Sequence, residues 1–250
     1  MPTLRPELIK LKRSQSWIIV VLLPVIMAGA GTVNTVVSGA ALDDGWHTLW
    51  LRTVVFFGLF PLALGVAILA SLSWRADHRD GNWNALMAGT ATSGSIVRAK
   101  TAVIAGLAAI MQLVMLATVL VLGKVVFGLP GMLPADLLGV SVLIMLGCIP
   151  LAALQSWLSM RTRSFAAPIA VALVGAGISV LLLNAKVTGA IFVLPYALAA
   201  RSTQLSTGTF GDSGTLTLGA VGAVLAATAL LTVVVVAVAG RSLDRRDVAA

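Results

Sequence analysis

The sequence is poor in the residues that soluble chemistry uses. Its 250 residues hold one cysteine, one tyrosine, two histidines and nine acidic side chains. A single cysteine, Cys148 inside an apolar run, excludes a disulfide framework and a multi-cysteine metal site, and leaves the redox compartment unread. No GxxxxGK[ST] phosphate cradle occurs, so an ATP-driven process would draw on an ATPase supplied by another chain. Both histidines, His47 and His78, fall in loops, which removes the in-span axial ligands a membrane haem needs. The nine acids, Glu7, Asp43, Asp44, Asp77, Asp80, Asp136, Asp212, Asp244 and Asp247, also fall in loops or flanks. Proton- or sodium-driven carriers keep ionisable groups in their spans despite a cost of at least about 2.5–3.5 kcal/mol. That absence argues against a self-powered carrier. The lack of a His or carboxylate cluster, or of a base beside a buried nucleophile, argues against a membrane enzyme.

What the chain has is apolar length. Charged residues make up 10% of it, hydrophobic residues 59%, and the mean hydropathy is +1.03; an ordinary soluble domain carries about 25% charge. The fold class expected is therefore an all-α integral membrane protein. A hydrocarbon core about 30 Å thick takes about 20 apolar helical residues, and six spans are expected, at about 17–38, 49–72, 101–123, 137–159, 165–183 and 215–239. The first resembles a signal peptide at its start, but its apolar run continues to about Val37, and it is read as a retained span.

Residues 1–16 carry Leu4, Leu8 and Leu11 at helical spacing beside Lys10, Lys12 and Arg13. Two readings stand: an interfacial helix in the headgroup layer, and a plain positive flank. Residues 187–200 are apolar but short, with Pro195 in the middle, which suits a re-entrant external segment. Six spans put both termini and the 240–250 tail in the cytoplasm, with all lysines and arginines inside except Arg52, Lys124, Lys186 and Arg201. The net charge of +8 is then a topology signal, and no nucleic-acid partner is expected. Spans 17–239 form one transmembrane domain. Asn34, Gln112 and Gln155 are the notable polar residues in the spans, either interhelical hydrogen-bonding groups or candidates for a substrate path.

One polar interruption stands out, residues 73–100, SWRADHRDGNWNALMAGTATSGSIVRAK. Arg75, Asp77, Arg79 and Asp80 precede Trp83 and Leu86, and Arg98 and Lys100 close the stretch. Charges that orient a contact beside an apolar anchor suit docking of a soluble partner. The competing reading makes the basic residues topology signals and Trp83 a headgroup anchor; Asp77 and Asp80 add nothing to such a signal.

Asp77, Gly81, Trp83, Leu86 and the closing Ala99–Lys100 pair, set in this layout of spans, resemble the membrane subunit of ABC type-2 transporters, closest to the small permeases of lantibiotic and bacitracin immunity. Pro195 and Tyr196 are a loose counterpart of the family's external aromatic and proline pair. The chain departs from the pattern where the family's proline and adjoining arginine are missing from AGTATSGS. The resemblance implies a multi-pass protein of the bacterial cytoplasmic membrane, paired with a second permease chain, identical or related, and with two ABC ATP-binding subunits. ATP and magnesium would sit on those partners and no cofactor on this chain. It further implies a coupling role for Arg75, Asp77, Arg79, Asp80, Trp83, Leu86 and Lys100. The expected function is export of an amphipathic peptide or lipophilic drug. The alternative is a membrane scaffold or sensor that recruits a partner through the same loop.

Overall fold

The computed structural model describes residues 3–11, 14–39, 41–78, 91–209 and 212–247, and every regular element among them is helical. In chain order these are α1 (Leu4–Leu11), α2 (Ser16–Val37), α3 (Gly45–Trp50), a π-helical turn (Leu51–Val55), α4 (Phe56–Leu59) and α5 (Pro61–His78). They continue as α6 (Ser93–Val121) with a π-helical extension (Leu122–Val126), α7 (Ala135–Arg161), α8 (Ala166–Asn184), a 3-10 turn (Thr188–Phe192), α9 (Pro195–Gln204) and α10 (Leu218–Asp247). Five helices are long and apolar enough to cross a bilayer, and α3–α5 make a sixth if taken as one bent span.

The central helix is α7. Within its most apolar window 61% of residues are buried, against 28% in α2 and α8 and 22% in α10. It packs against α5, α6, α8, α9 and α10, while Val21, Ile26 and Val33 of α2 and Val233 and Val234 of α10 stay exposed, as helices facing lipid would leave them. Both termini lie at one end of the bundle, where Trp74, Ile96, Val97 and Met160 meet Ala239 and Leu243 of α10 in a small apolar cluster.

Three differences from the sequence reading, and one refinement of it, bear on function. The second span is not one rod: it bends by 46° between Gly45–Leu59 and Pro61–Arg75. Pro61 has no amide to give the preceding turn, and Phe60 takes φ −133°, ψ −47°. The polar stretch 73–100 is largely helical at both ends, since α5 continues to His78 and α6 begins at Ser93. The Gly, Ser and Thr content that reads as loop supplies a cap, with Thr92 Oγ1 accepting from Ser95 N. The last helix runs eight residues past Ala239 to Asp247, so most of the expected tail is helix, anchored by Leu243. Finally, residues 187–200 fold as the 3-10 turn and the start of α9, and nearly every side chain from Pro195 to Gln204 is buried.

Helix α9 seats itself where three other helices carry glycine. A Cβ on Gly147 of α7 would stand 2.6 Å from Ser202 Oγ, and one on Gly175 of α8 would stand 2.5 Å from the Tyr196 ring. One on Gly58 of α4 would strike Thr203. Close approach across these faces requires glycine.

Candidate coupling site

The most concentrated electrostatics in the described residues lies where α1 meets the end of α5 and the start of α6. Lys100, in the second turn of α6, is fully buried. Its ammonium lies 2.8 Å from Glu7 Oε2 of α1 and 2.5 Å from Asp77 Oδ2 of α5. The second is an ion contact whose angle falls short of a hydrogen bond. The same ammonium donates to the Ser73 carbonyl at 3.2 Å and stands 4.6 Å from the centre of the Trp74 ring. Lys10 closes the figure, 2.7 Å from Glu7 Oε1 and 2.7 Å from Asp77 Oδ1. Two lysines and two carboxylates thus alternate in a ring, each carboxylate giving one oxygen to each lysine.

This ring joins α1, α5 and α6. Its charges cancel, which decides whether it can exist: moving each ion from water costs several kcal/mol, and only close pairing with further hydrogen bonds offsets that. Around it, Trp74 Nε1 donates to Ser156 Oγ at 2.9 Å and His78 Nε2 lies 3.1 Å from the Ser159 carbonyl, so α5 is tied to α7 as well. Helix α1 also docks by its apolar side, with Leu4 and Leu11 packed on the core.

Burial pulls the Lys10 ammonium down, but hydrogen bonds and charge from Asp77 and Glu7 outweigh it and hold Lys10 above the ordinary lysine value. A raised lysine contributes stability that is complete below the unfolded pKa, about 10.4, and is lost as pH rises through the folded one. The stability difference between the unaltered chain and Lys10→Met is therefore expected to hold steady from about pH 7 to about pH 9. Chemical unfolding at several pH values measures it, and a difference that shrinks within that range would contradict the assignment.

The structure separates the residues that sequence reasoning grouped. Asp77 and Lys100, expected to present charge to a partner, are buried in the ring; a carboxylate between two ammonium groups is already engaged. Arg75 faces away, exposed, with its guanidinium 5.6 Å from the Phe165 ring, beside a polar cleft of about 430 Å³ shared with His78, Ser159 and Arg163. Arg79, Asp80, Trp83 and Leu86 lie outside the described residues. Of the polar residues in spans, Gln155 is an interhelical contact, its Nε2 donating to the Tyr196 hydroxyl at 2.7 Å. Gln112 is fully buried with neither amide atom partnered, and Asn34 is exposed on α2.

Glu7 and Lys10 were not singled out as site residues, because a basic flank explains Lys10 without any partner. The signal that could have found them is Glu7 itself, an acid three residues before Lys10 in a helix whose other charges are positive. Gln204, fully buried with both amide atoms unpartnered, was missed too. Among the described residues no three His, Cys, Asp or Glu side chains gather to hold a metal.

The family model described as ABC-2 family transporter protein matches residues 3–179. The chain belongs to the ABC-2 transporter family. The match runs from α1 into α8, so all four members of the ion ring lie inside it. No curated protein and no solved structure matches the chain. As an ABC-2 protein it is the multi-pass permease subunit of an ABC transporter, working with an ABC ATP-binding subunit that carries the ATPase. In the permease, the ring therefore sits at the two roots of the segment between α5 and α6.

Proposed function

We propose that this permease is the membrane half of an ATP-driven exporter for an amphipathic peptide, of the lantibiotic or bacitracin kind, or a lipophilic drug. Two ATP-binding subunits with ATP and magnesium serve it with a second permease chain, in a bacterial cytoplasmic membrane with both termini inside. The observation that carries this reading is the ion ring. It binds the roots of residues 79–90 to the interfacial helix, so that a push on Arg79, Asp80, Trp83 and Leu86 reaches α1, α5 and α6 together. An ATPase that closes on nucleotide supplies such a push, and the ring is a rigid place to receive it. The cargo class rests on the family resemblance and on chemistry: Gln112, buried in a span with neither amide atom partnered, is uncharged and suits an amphipathic or lipophilic molecule.

The test pairs the permease with its ATP-binding subunit in vesicles. Trp83→Ala is expected to weaken the complex by about 2 kcal/mol, roughly 30-fold in affinity, as loss of a central aromatic anchor does, and to abolish cargo-stimulated ATP hydrolysis while the permease still inserts. Undiminished affinity and transport would overturn the docking role. A complex that assembles normally but moves neither peptide nor drug would mark the chain as a scaffold.

A further inference from the structure

Between α6 and α10 runs a groove of about 850 Å³. Its walls are apolar and small-sided, with Ala102, Ala105, Val233 and Ala237 among them. Two features set it apart from an ordinary seam between helices. Thr101, 5% exposed, and Thr232 both line it, and neither hydroxyl has a hydrogen-bond partner. A Thr in a helix usually returns its hydroxyl to a carbonyl one turn back, as Thr32, Thr35 and Thr118 do here. The second feature is charge at one end only. Arg98, Arg241 and Asp244 line the end nearest the termini, and together they carry a net positive charge.

The positive end is built on a helix start. Gly94 lines the groove in the first turn of α6, next to the Thr92 cap that takes the Ser95 amide. Arg98 folds back over it, since a Cβ on Gly94 would stand 3.4 Å from Nη1. Two guanidinium groups and the positive end of a helix dipole line this end of the groove, and guanidinium forks and helix starts both favour phosphate. Beyond it the apolar walls continue along Ala102, Ala105 and Val233.

We propose that this groove is a binding site for one anionic phospholipid, its phosphate at Arg98, Arg241 and the α6 N-terminus and an acyl chain along Ala102, Ala105 and Val233. A cationic amphipath is disfavoured by the two arginines, and a neutral-headgroup lipid leaves the extra positive charge unanswered. A second helix of small residues would fill the apolar walls but would not answer the arginines. The site is independent of the cargo and of the ATPase, and its test uses neither.

The full-length permease, purified in neutral detergent, is mixed with phosphatidylglycerol or phosphatidylcholine of matched acyl chains and read by native mass spectrometry. One phosphatidylglycerol is expected to be retained about fivefold more strongly, the order of effect one net positive charge exerts on an anionic headgroup. Arg98→Gln with Arg241→Gln should erase the preference. Arg5→Gln, an exposed arginine on α1, should keep it, and Ala237→Trp, which fills the groove with every charge intact, should release the lipid. On the unaltered protein, phosphatidylglycerol should also outlast diacylglycerol of the same chains, a comparison that needs no variant to fold. Equal retention of these lipids by the unaltered chain, equal loss in Arg5→Gln, or retention unchanged in Ala237→Trp would overturn the site. So would a lipid carried by the monomer and expelled on dimerisation, which would make the groove a seat for the second permease.

Discussion

Replacing Lys100 with methionine is expected to cost about 3–5 kcal/mol of stability, the usual result of removing one partner from a buried ion pair. The cost arises less from the lost attraction than from what remains: Glu7 and Asp77, both buried, would share the half-exposed Lys10 alone. Pairing Lys100→Met with Asp77→Asn removes one charge of each sign, restores neutrality and should recover much of the loss. Thermal or denaturant unfolding of the two variants measures this. The double variant separates structure from coupling. It should fold, yet without the bonds that tie α6 to α5 and α1 its cargo-stimulated ATP hydrolysis should fall to the basal rate. If Lys100→Met unfolds with the same midpoint as the unaltered chain, the ring does not hold these helices together. If the double variant couples normally, the ring is structural only.

Gly147→Ala is expected to destabilise by about 1–3 kcal/mol through overpacking, and Ser202→Ala should reverse most of it. The reason is geometric. The new Cβ would lie 2.6 Å from Ser202 Oγ but 3.5 Å from Ser202 Cβ, so deleting one oxygen turns a clash into an ordinary contact. The hydroxyl's own bond, to the Leu198 carbonyl at 2.8 Å, lies within α9 and is a small loss. A double-mutant cycle is therefore expected to give a coupling energy above about 1 kcal/mol, and additive effects would show that α9 is not seated against Gly147. At Gly175 no small deletion helps, because the obstacle is the ring of Tyr196, which also accepts from Gln155.

Hydropathy made most of the fold legible. Long apolar runs set the helices that can span, and the short run near Pro195 could not be one of them. What stayed hidden depends on partners distant in sequence. Asp77 in a polar stretch has the same local pattern whether it meets solvent or Lys100, and Lys10 is equally well explained by topology alone. The glycines that seat α9 read as common small residues, because nothing local tells which of them faces Tyr196, Ser202 or Thr203. Two misreadings were local and avoidable. Thr92 ahead of a helical run is an N-cap signal, which would have moved the start of α6 to Ser93, and Pro61 within the second apolar run is a break signal.

That break gives the second span a fulcrum. Above it, α4 is held by α9 through Gly58 and Thr203; below it, α5 is a stiff arm about 24 Å long from Pro61 to Asp77 at 1.5 Å per residue. A tilt of about 5° at Phe60 carries Asp77 about 2 Å, and Lys10 and Lys100 travel with it because the ring is closed. The upper half of the span is held by α9, while the lower half is joined to α1 and α6 through the ring and to α7 through Trp74 and His78, so a displacement there is shared among four helices.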